Sequence, residues 1–582
     1  MKRYAIIIIA LLSVMDNSMA QKSNDRSSAL EGWNAMKYGM FIHWGDFSAL
    51  GGIYEGEKIP RLGEQIQRHA KAPSSEYEKT VSDFNPVLFD ADEWVGIAKN
   101  AGMKYIVITV KHHNGFCIWD TETTQYNIAD ATPFKRDPVR ELAEACKRAG
   151  LGFGVYFSTI DWHFPGAVER EKPGEFSVSE TIPEAHHLYS IAQLEELCSG
   201  RYGELVQVFF DMGLPTPAQS KDYRNTVKSL LPDCQINGRV MNNMGDFLTM
   251  PDNAVPKAPI PQAWEAPSTL YHWSKNEIPG WSNEWWNTWG YKSWIPSPPL
   301  EMQVKKQLHK MAMIVSRGGN FLLNVGPDGA GRIIPYEQEV LREMGLWLEQ
   351  YGEAVFETSP TPFARNPEIL CTQKAGKLYF FLDYEMKGTR LELPGLDSPI
   401  SSAYLLSDQN RTALDVTSVN HPGIALPGEF ANPCMEVLVV EYDGELKIST
   451  PIIKPSDHKL QLSYHDAYIT GSYDSESYSS LANDTHANWD VQVDKAGKYE
   501  VHIELKSKAD PGQYTLQVGE DRFPVAVKNN EFKGMIASLK LDKAEQMKVS
   551  LYPSLPKYIF SNGYARFSRL LVDDVSISIT RQ

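Results

Sequence analysis

Asp211 closes the apolar run LVQVFF and is followed by Met212-Gly213, a small residue that leaves room beside its carboxylate. Hydrolysis of a glycosidic bond needs two carboxyl groups, one to protonate the leaving oxygen and one to act as nucleophile or to activate water. Asp211 is the candidate nucleophile; a cap on the following helix is its structural alternative. Asp246 and Asp252 in GDFLTMPDN and Glu265 in AWEAP are the three candidates for the acid. Arg239 favours ionised carboxylates nearby and so helps hold Asp211 charged. His43, after YGMFI, and His112-His113, after IVITVK, stand where imidazoles can donate hydrogen bonds to sugar hydroxyls. A metal reading of the His pair is discounted, because neighbours on a strand point to opposite faces and no Cys/His/carboxylate set has zinc spacing. No metal or other cofactor is expected. Seven of the 14 tryptophans fall at 264, 273, 281, 285, 286, 289 and 294, amid Pro, Asn, Ser and Glu. Their flat apolar faces and polar edges suit a pyranose ring.

The elements that must position these groups alternate in period. Apolar runs at Tyr38–Ile42, Tyr105–Val110, Gly152–Phe157, Leu205–Phe210 and Asn320–Val325 predict strands. Between them, Asp90–Ala101 carries Trp94, Ile97, Ala98 and Ala101 at helical spacing, and Asp137-Pro138 opens a second helix. Polar groups recur at strand ends: His43, His112-His113, Asp211, Asn324. In a parallel barrel those ends converge on one mouth, and neither GxGxxG nor GxxxxGK[ST] is present to support a nucleotide fold. The expectation is a (β/α)8-like barrel over residues 21–355 followed by two all-β sandwich domains, 356–448 and 458–582. The helix Pro335–Tyr351 closes the first region. Period-two strands then follow at Lys377–Leu382, Arg390–Leu393 and Met435–Tyr442. Beyond a linker at Ser449–Asp457 come Tyr499–Leu505, Tyr514–Val518, Met547–Tyr552 and Leu570–Ile579.

The chain has 582 residues and a net charge of −16, with 42% hydrophobic residues, the composition of a globular protein of about three domains. An acidic balance with no basic stripe argues against a nucleic-acid partner. Lys2-Arg3, the apolar run Tyr4–Val14 and Ser18-Met19-Ala20 read as a signal peptide, residues 1–20. The run is too short to span a bilayer. Export to the periplasm or the outside of the cell is therefore expected, and the six scattered cysteines read as lone buried thiols.

YGMFIHWG at 38–45, KYIVITVKHHNGFCIWD at 104–120, GFGVYFSTIDWH at 152–163, VFFDMG at 208–213, GDFLT at 245–249, WE at 264–265, TWGY at 288–291 and GGNFLLNVGPDGAG at 318–331 together resemble the α-L-fucosidases of glycoside hydrolase family 29. The match runs over roughly residues 30–355 in order. The resemblance implies an exo-acting, retaining glycosidase without a metal, acting on a fucosylated oligosaccharide or glycoconjugate. It puts Asp211 on the nucleophile and His43, His112, His113, Tyr156 and Arg239 on fucose-binding residues, with Glu64 matching a further sugar-binding Glu; Trp264, from the tryptophan cluster, is assigned to the sugar cleft. Asp252 is the first choice for acid/base and Glu265 the second. Departures are Phe209 for a Trp, Met212 for a Gly, Pro251-Asp252 where many bacterial members have Pro-Glu one place earlier, and Gln65 for a Trp. They leave two alternatives, a hydrolase for a related sugar such as α-L-galactose and a catalytically impaired sugar-binding protein. Within residues 458–582, DKAGKYEVHIEL resembles a strand of carbohydrate-binding modules. Trp489 with nearby tyrosines is a candidate sugar platform there, and a purely structural sandwich is the alternative.

Overall fold

A computed structural model describes residues 28–166, 174–256, 259–260, 262–273, 286–363, 369–418, 422–449, 452–464, 467–472, 484–507, 512–554, 559–561, 564–566 and 572–582. The expected signal peptide, Trp281, Trp285, residues 450–451 of the linker and residues 570–571 of the last expected strand lie outside them. The chain divides into two units, one running to Asn253 and adding Gln262–Leu300 and Asn320–Gly345, the other made of Ala254–Pro261, Glu301–Gly319 and Leu346–Gln582.

The first unit is built on eight parallel strands: β1 (Tyr38–Ile42), β2 (Tyr105–Lys111), β3 (Gly152–Ser158), β4 (Leu205–Asp211), β5 (Gln235–Ile236), β6 (Leu248–Thr249), β7 (Trp264–Thr269) and β8 (Asn320–Val325). Each pairs with its neighbour in chain order except β5 with β6, and β8 returns to β1. A single parallel bridge, Asn237 to Phe247, joins the two edge strands β5 and β6 and closes the ring. Every residue of β1, β2 and β8 is buried. This is the signature of parallel strands covered on both faces, and it explains why they read as unbroken apolar runs. β5, β6 and β7 are the strands the sequence reading missed, two of them two residues long and the third carrying Glu, Pro, Ser and Thr. Helices α1 (Ala91–Asn100), α2 (Pro138–Ala149), α3 (Glu184–Cys198) and α4 (Pro217–Leu230) lie between strands in the chain. Asp90 and Asp137 cap α1 and α2 by accepting from Glu93 N and Arg140 N, and Thr216 with Gln219 forms a capping box on α4.

The floor of the barrel is polar. Trp33 Nε1 donates to Gln207 Oε1 at 2.6 Å, Gln207 Nε2 donates to Glu265 Oε2 at 3.2 Å, and Tyr105 OH lies 2.7 Å from Glu265 Oε1. Gly39 permits this, since a Cβ there would stand 2.5 Å from the Tyr105 ring. Above the floor, Phe41, Val107, Tyr156, Phe209 and Leu322 form an apolar layer.

The second unit holds two antiparallel sandwiches. The first pairs the sheet Cys371–Lys374, Lys377–Leu382, Glu436–Tyr442, Ile400–Leu405 with the sheet Arg390–Glu392, Pro422–Ala425, Val416–Ser418, over a core that includes Phe380, Leu393 and Leu438. The second combines four- and five-stranded sheets around Leu462, Trp489, Ile503, Leu551 and Ile577. Trp489 is therefore no sugar platform: it is 0% exposed and donates from Nε1 to Ser463 O at 2.7 Å. Strand alternation aims its side chain into the core with Ala487 and Val491. All six cysteines are free thiols.

Candidate active site

Asp211 is the last residue of β4, so its carboxylate emerges at the C-terminal mouth. Asn237 braces the strand just before it, its side chain accepting from Phe210 N at 2.7 Å and donating to Phe210 O at 2.9 Å. Tyr156, on β3, donates its OH to Asp211 Oδ2 at 2.7 Å, and Arg239, in the turn Gly238–Val240 after β5, meets Oδ1 at 2.7 Å. His113 Nε2 stands 4.0 Å from Oδ2. Burial alone pushes the Asp211 carboxyl up, but the Arg239 charge and the hydrogen bonds from Arg239 and Tyr156 outweigh it and hold the pKa below the ordinary 3.8. Arg239 also spans to Asp252 Oδ1 at 2.7 Å and donates to Met250 O at 3.1 Å, while its guanidinium lies over the Phe209 ring at 5.4 Å. The Asp252 side chain is 42% exposed, the more open of the two carboxylates that share this guanidinium.

The three histidines gather on the same side. His112 and His113 have ring centroids 4.0 Å apart, and His43 lies 5.7 Å from His112. The expectation that His112 and His113 point apart fails because β2 ends at Lys111, so both rings lie past the strand, where alternation no longer applies. Among the described residues no group of three or more His, Cys, Asp or Glu is placed to hold a metal ion. Burial lowers the His43 pKa to about 3 and the His113 pKa to about 4, so both rings are neutral at physiological pH. His43 Nδ1 lies 2.7 Å from Asn324 Oδ1, and His113 Nδ1 lies 2.8 Å from Ser158 Oγ.

Glu64, in the turn Gly63–Gln65, accepts from Trp289 N at 3.0 Å and Gly290 N at 2.9 Å, and burial pushes its carboxyl up to about 7. This clasp presents the Trp289 ring to His43, centroids 5.1 Å apart.

Three expected site residues lie elsewhere. Glu265 is the second residue of β7, 0% exposed and held by Gln207, which precedes Asp211 by four residues and so lies about 13 Å back along the strand. Glu265 is a floor residue, far from an acid/base position beside Asp211. Trp264, adjacent to it and 0% exposed, cannot meet a sugar from the start of a strand whose Glu265 takes the inward face. Asp246 is clasped by Arg224 at 2.7 Å and Lys228 at 2.8 Å. Asn237 and Trp289 were not picked out as site residues. Trp289 lay in the TWGY motif and in the tryptophan cluster, but only the turn that carries Glu64 shows which of the tryptophans faces the mouth.

A family model described as Alpha-L-fucosidase matches residues 12–353. The plasma alpha-L-fucosidase of Homo sapiens is 32% identical over 345 residues, covering 55% of this chain and 68% of that one. Among solved structures, an alpha-L-fucosidase from Vibrio sp. strain EJY3 superposes with a TM-score of 0.70 at 25% identity, over 95% of this chain and 98% of that one. Isoenzyme 1 from Paenibacillus thiaminolyticus does so at 0.62 and 27% identity, over 72% and 100%. With more than half its length matched, the chain belongs to the alpha-L-fucosidase family and is a glycoside hydrolase.

Proposed function

We propose that this hydrolase acts from the chain end, releasing α-L-fucose from fucosylated glycans with retention of configuration through a covalent glycosyl-enzyme. Asp211 is the nucleophile and Asp252 the acid/base. The observation that carries this reading is the state of Asp211: a buried carboxylate kept ionised by Arg239 at the mouth, with Tyr156 fixing its other oxygen. In the first step an Asp211 oxygen bonds to C1 as the C1–O bond to the leaving group breaks and Asp252 gives that oxygen its proton. In the second, water attacks C1, Asp252 takes the water proton, and the ester to Asp211 opens. Retention calls for carboxyl groups about 5–5.5 Å apart, a spacing that two carboxylates on the two amino groups of one guanidinium can meet. His43, His112, His113, Glu64 and Trp289 bind the ring.

Export before action and a substrate outside the cytoplasm belong to the same proposal. Among the described residues no helix is long and apolar enough to cross a membrane. The test is hydrolysis of 4-nitrophenyl α-L-fucoside followed by proton NMR. First-formed α-fucose supports the proposal; first-formed β-fucose, or release from an aryl α-L-galactoside alone, overturns it.

A further inference from the structure

We infer that Asn324 and Ser158 are positioning residues that fix His43 and His113 in one tautomer, with the proton on Nδ1, so that both imidazoles turn a lone pair toward the sugar. Neither residue touches the reacting atoms. Each acts through the ring it holds, and the inference rests on reading the mouth as a sugar pocket.

The argument starts from groups that have no choice. Trp289 O is a carbonyl and can only accept, and Asn324 Nδ2 lies 2.8 Å from it. That contact orients the amide and leaves Oδ1, also an acceptor only, facing His43 Nδ1 at 2.7 Å. The hydrogen between them therefore belongs to Nδ1. On the other side of the mouth, Ser158 has one hydroxyl hydrogen, and Ile160 O takes it at 2.7 Å. Ser158 Oγ then has only lone pairs for His113 Nδ1 at 2.8 Å. Since burial keeps both rings neutral, a proton on Nδ1 means none on Nε2.

The consequence reverses the expected polarity of the pocket. His113 Nε2 and Asp211 Oδ2, 4.0 Å apart, are then two acceptors side by side. Tyr156 spends its hydrogen on Asp211, and Arg239 is engaged by Asp211 and Asp252. At these two rings a ligand meets acceptors and must bring hydroxyl hydrogens. A neutral polyol does so, whereas a group that can only accept, such as fluorine or a carboxylate in place of a ring hydroxyl, finds no donor on either imidazole.

The deciding measurement is a long-range proton–nitrogen NMR spectrum of the ligand-free full chain labelled with ¹⁵N-histidine, with signals assigned by their absence in His43→Gln and His113→Gln. Protonated Nδ1 and bare Nε2 on both rings is the expected result; an Nε2 proton on either overturns the inference. Asn324→Asp adds a kinetic readout, since a carboxylate beside Nδ1 favours the imidazolium and makes Nε2 a donor. KM for 4-nitrophenyl α-L-fucoside should rise about tenfold between about pH 8 and 6 in that variant while the parent stays flat. A KM that tracks the parent at every pH counts against the role of Asn324. The spectrum needs no substrate, so a chain that hydrolyses no fucoside refutes the proposed function while leaving the tautomers to be read.

Discussion

Of the carboxyl groups the barrel buries, two at its opposite ends each meet a tyrosine hydroxyl at 2.7 Å: Asp211 with Tyr156 at the mouth, Glu265 with Tyr105 at the floor. What differs is the third partner. Asp211 faces the Arg239 guanidinium, Glu265 the neutral amide of Gln207. One carboxyl is held below its ordinary pKa, and burial pushes the other up to about 7. Desolvation raises both, and a hydrogen bond from a neutral donor does not offset it; a contacting full charge does. The same pair of residue types thus keeps a carboxylate ionised at one end, the proposed nucleophile, and makes a proton-holding structural group at the other.

The comparison breaks most sharply at the proposed nucleophile. Asp211→Asn should lower kcat/KM for an aryl fucoside by at least about 10³-fold, and a smaller loss would take the nucleophile away from this position. Arg239→Leu tests the third partner itself. With the cation gone, the desolvation of Asp211 is unopposed, so activity should fall by roughly 10²-fold or more. The acid limb of the pH profile should move to higher pH, because Asp211 then takes up a proton earlier as pH falls. A variant of low activity whose acid limb has not moved would give Arg239 a packing role only. Between the two ends, Asp252→Asn should lose about 10²-fold or more on poor leaving groups and regain turnover with azide, which needs no base. Glu265→Gln should need no azide. Azide rescue of Glu265→Gln instead would move the acid/base to the floor.

The parts of this arrangement that were legible in the sequence are those set by local pattern. Long apolar runs ending in His43, His112-His113, Asp211 and Asn324 belong to strands covered on both faces, and such runs are visible because nearly every position is buried. Glu265 and Trp264 were misplaced because nothing in WEAPST marks which end of a strand it is; its polar residues hid a strand that starts at Trp264 and continues to Thr269. Asn237, Trp289 and Ser158 act through contacts between segments far apart in the chain, which spacing does not carry. Histidines read as donors from their type alone have partners 45 and 281 residues away, and only those partners lead to the inferred tautomers in which they accept. Asp252, on Arg239 but 42% exposed, sits in a short loop whose geometry depends on β6 and β7, strands with no apolar run to announce them.

The smallest effect expected is on stability at the floor. Trp33 Nε1 fixes the Gln207 amide by donating to its Oε1 at 2.6 Å, so Gln207 must offer Nε2 to residue 265. Tyr105 can turn its hydrogen away and accept, which lets a protonated Glu265 donate to it. Glutamine at 265 reproduces that pattern, its Oε1 accepting from Gln207 and its Nε2 donating to Tyr105. Because the Glu265 pKa is raised from 4.5 to about 7 in the fold, the stability it contributes is complete below pH 4.5 and is lost as pH rises through about 7. Glu265→Gln removes that loss. The buried His43 and His113, lowered to about 3 and about 4, cost stability in the other direction as pH falls below 6.5. They are common to both proteins and cancel in the difference. Thermal melts should therefore superpose near pH 4, draw apart between about pH 4.5 and 7 and keep a constant separation above that, the glutamine variant more stable by on the order of 3 kcal/mol once the carboxyl is ionised. A difference that is constant across pH would mean Glu265 keeps one protonation state throughout. A glutamine variant less stable at high pH would mean the floor holds a carboxylate, with some cation or water supplying there what Arg239 supplies at the mouth.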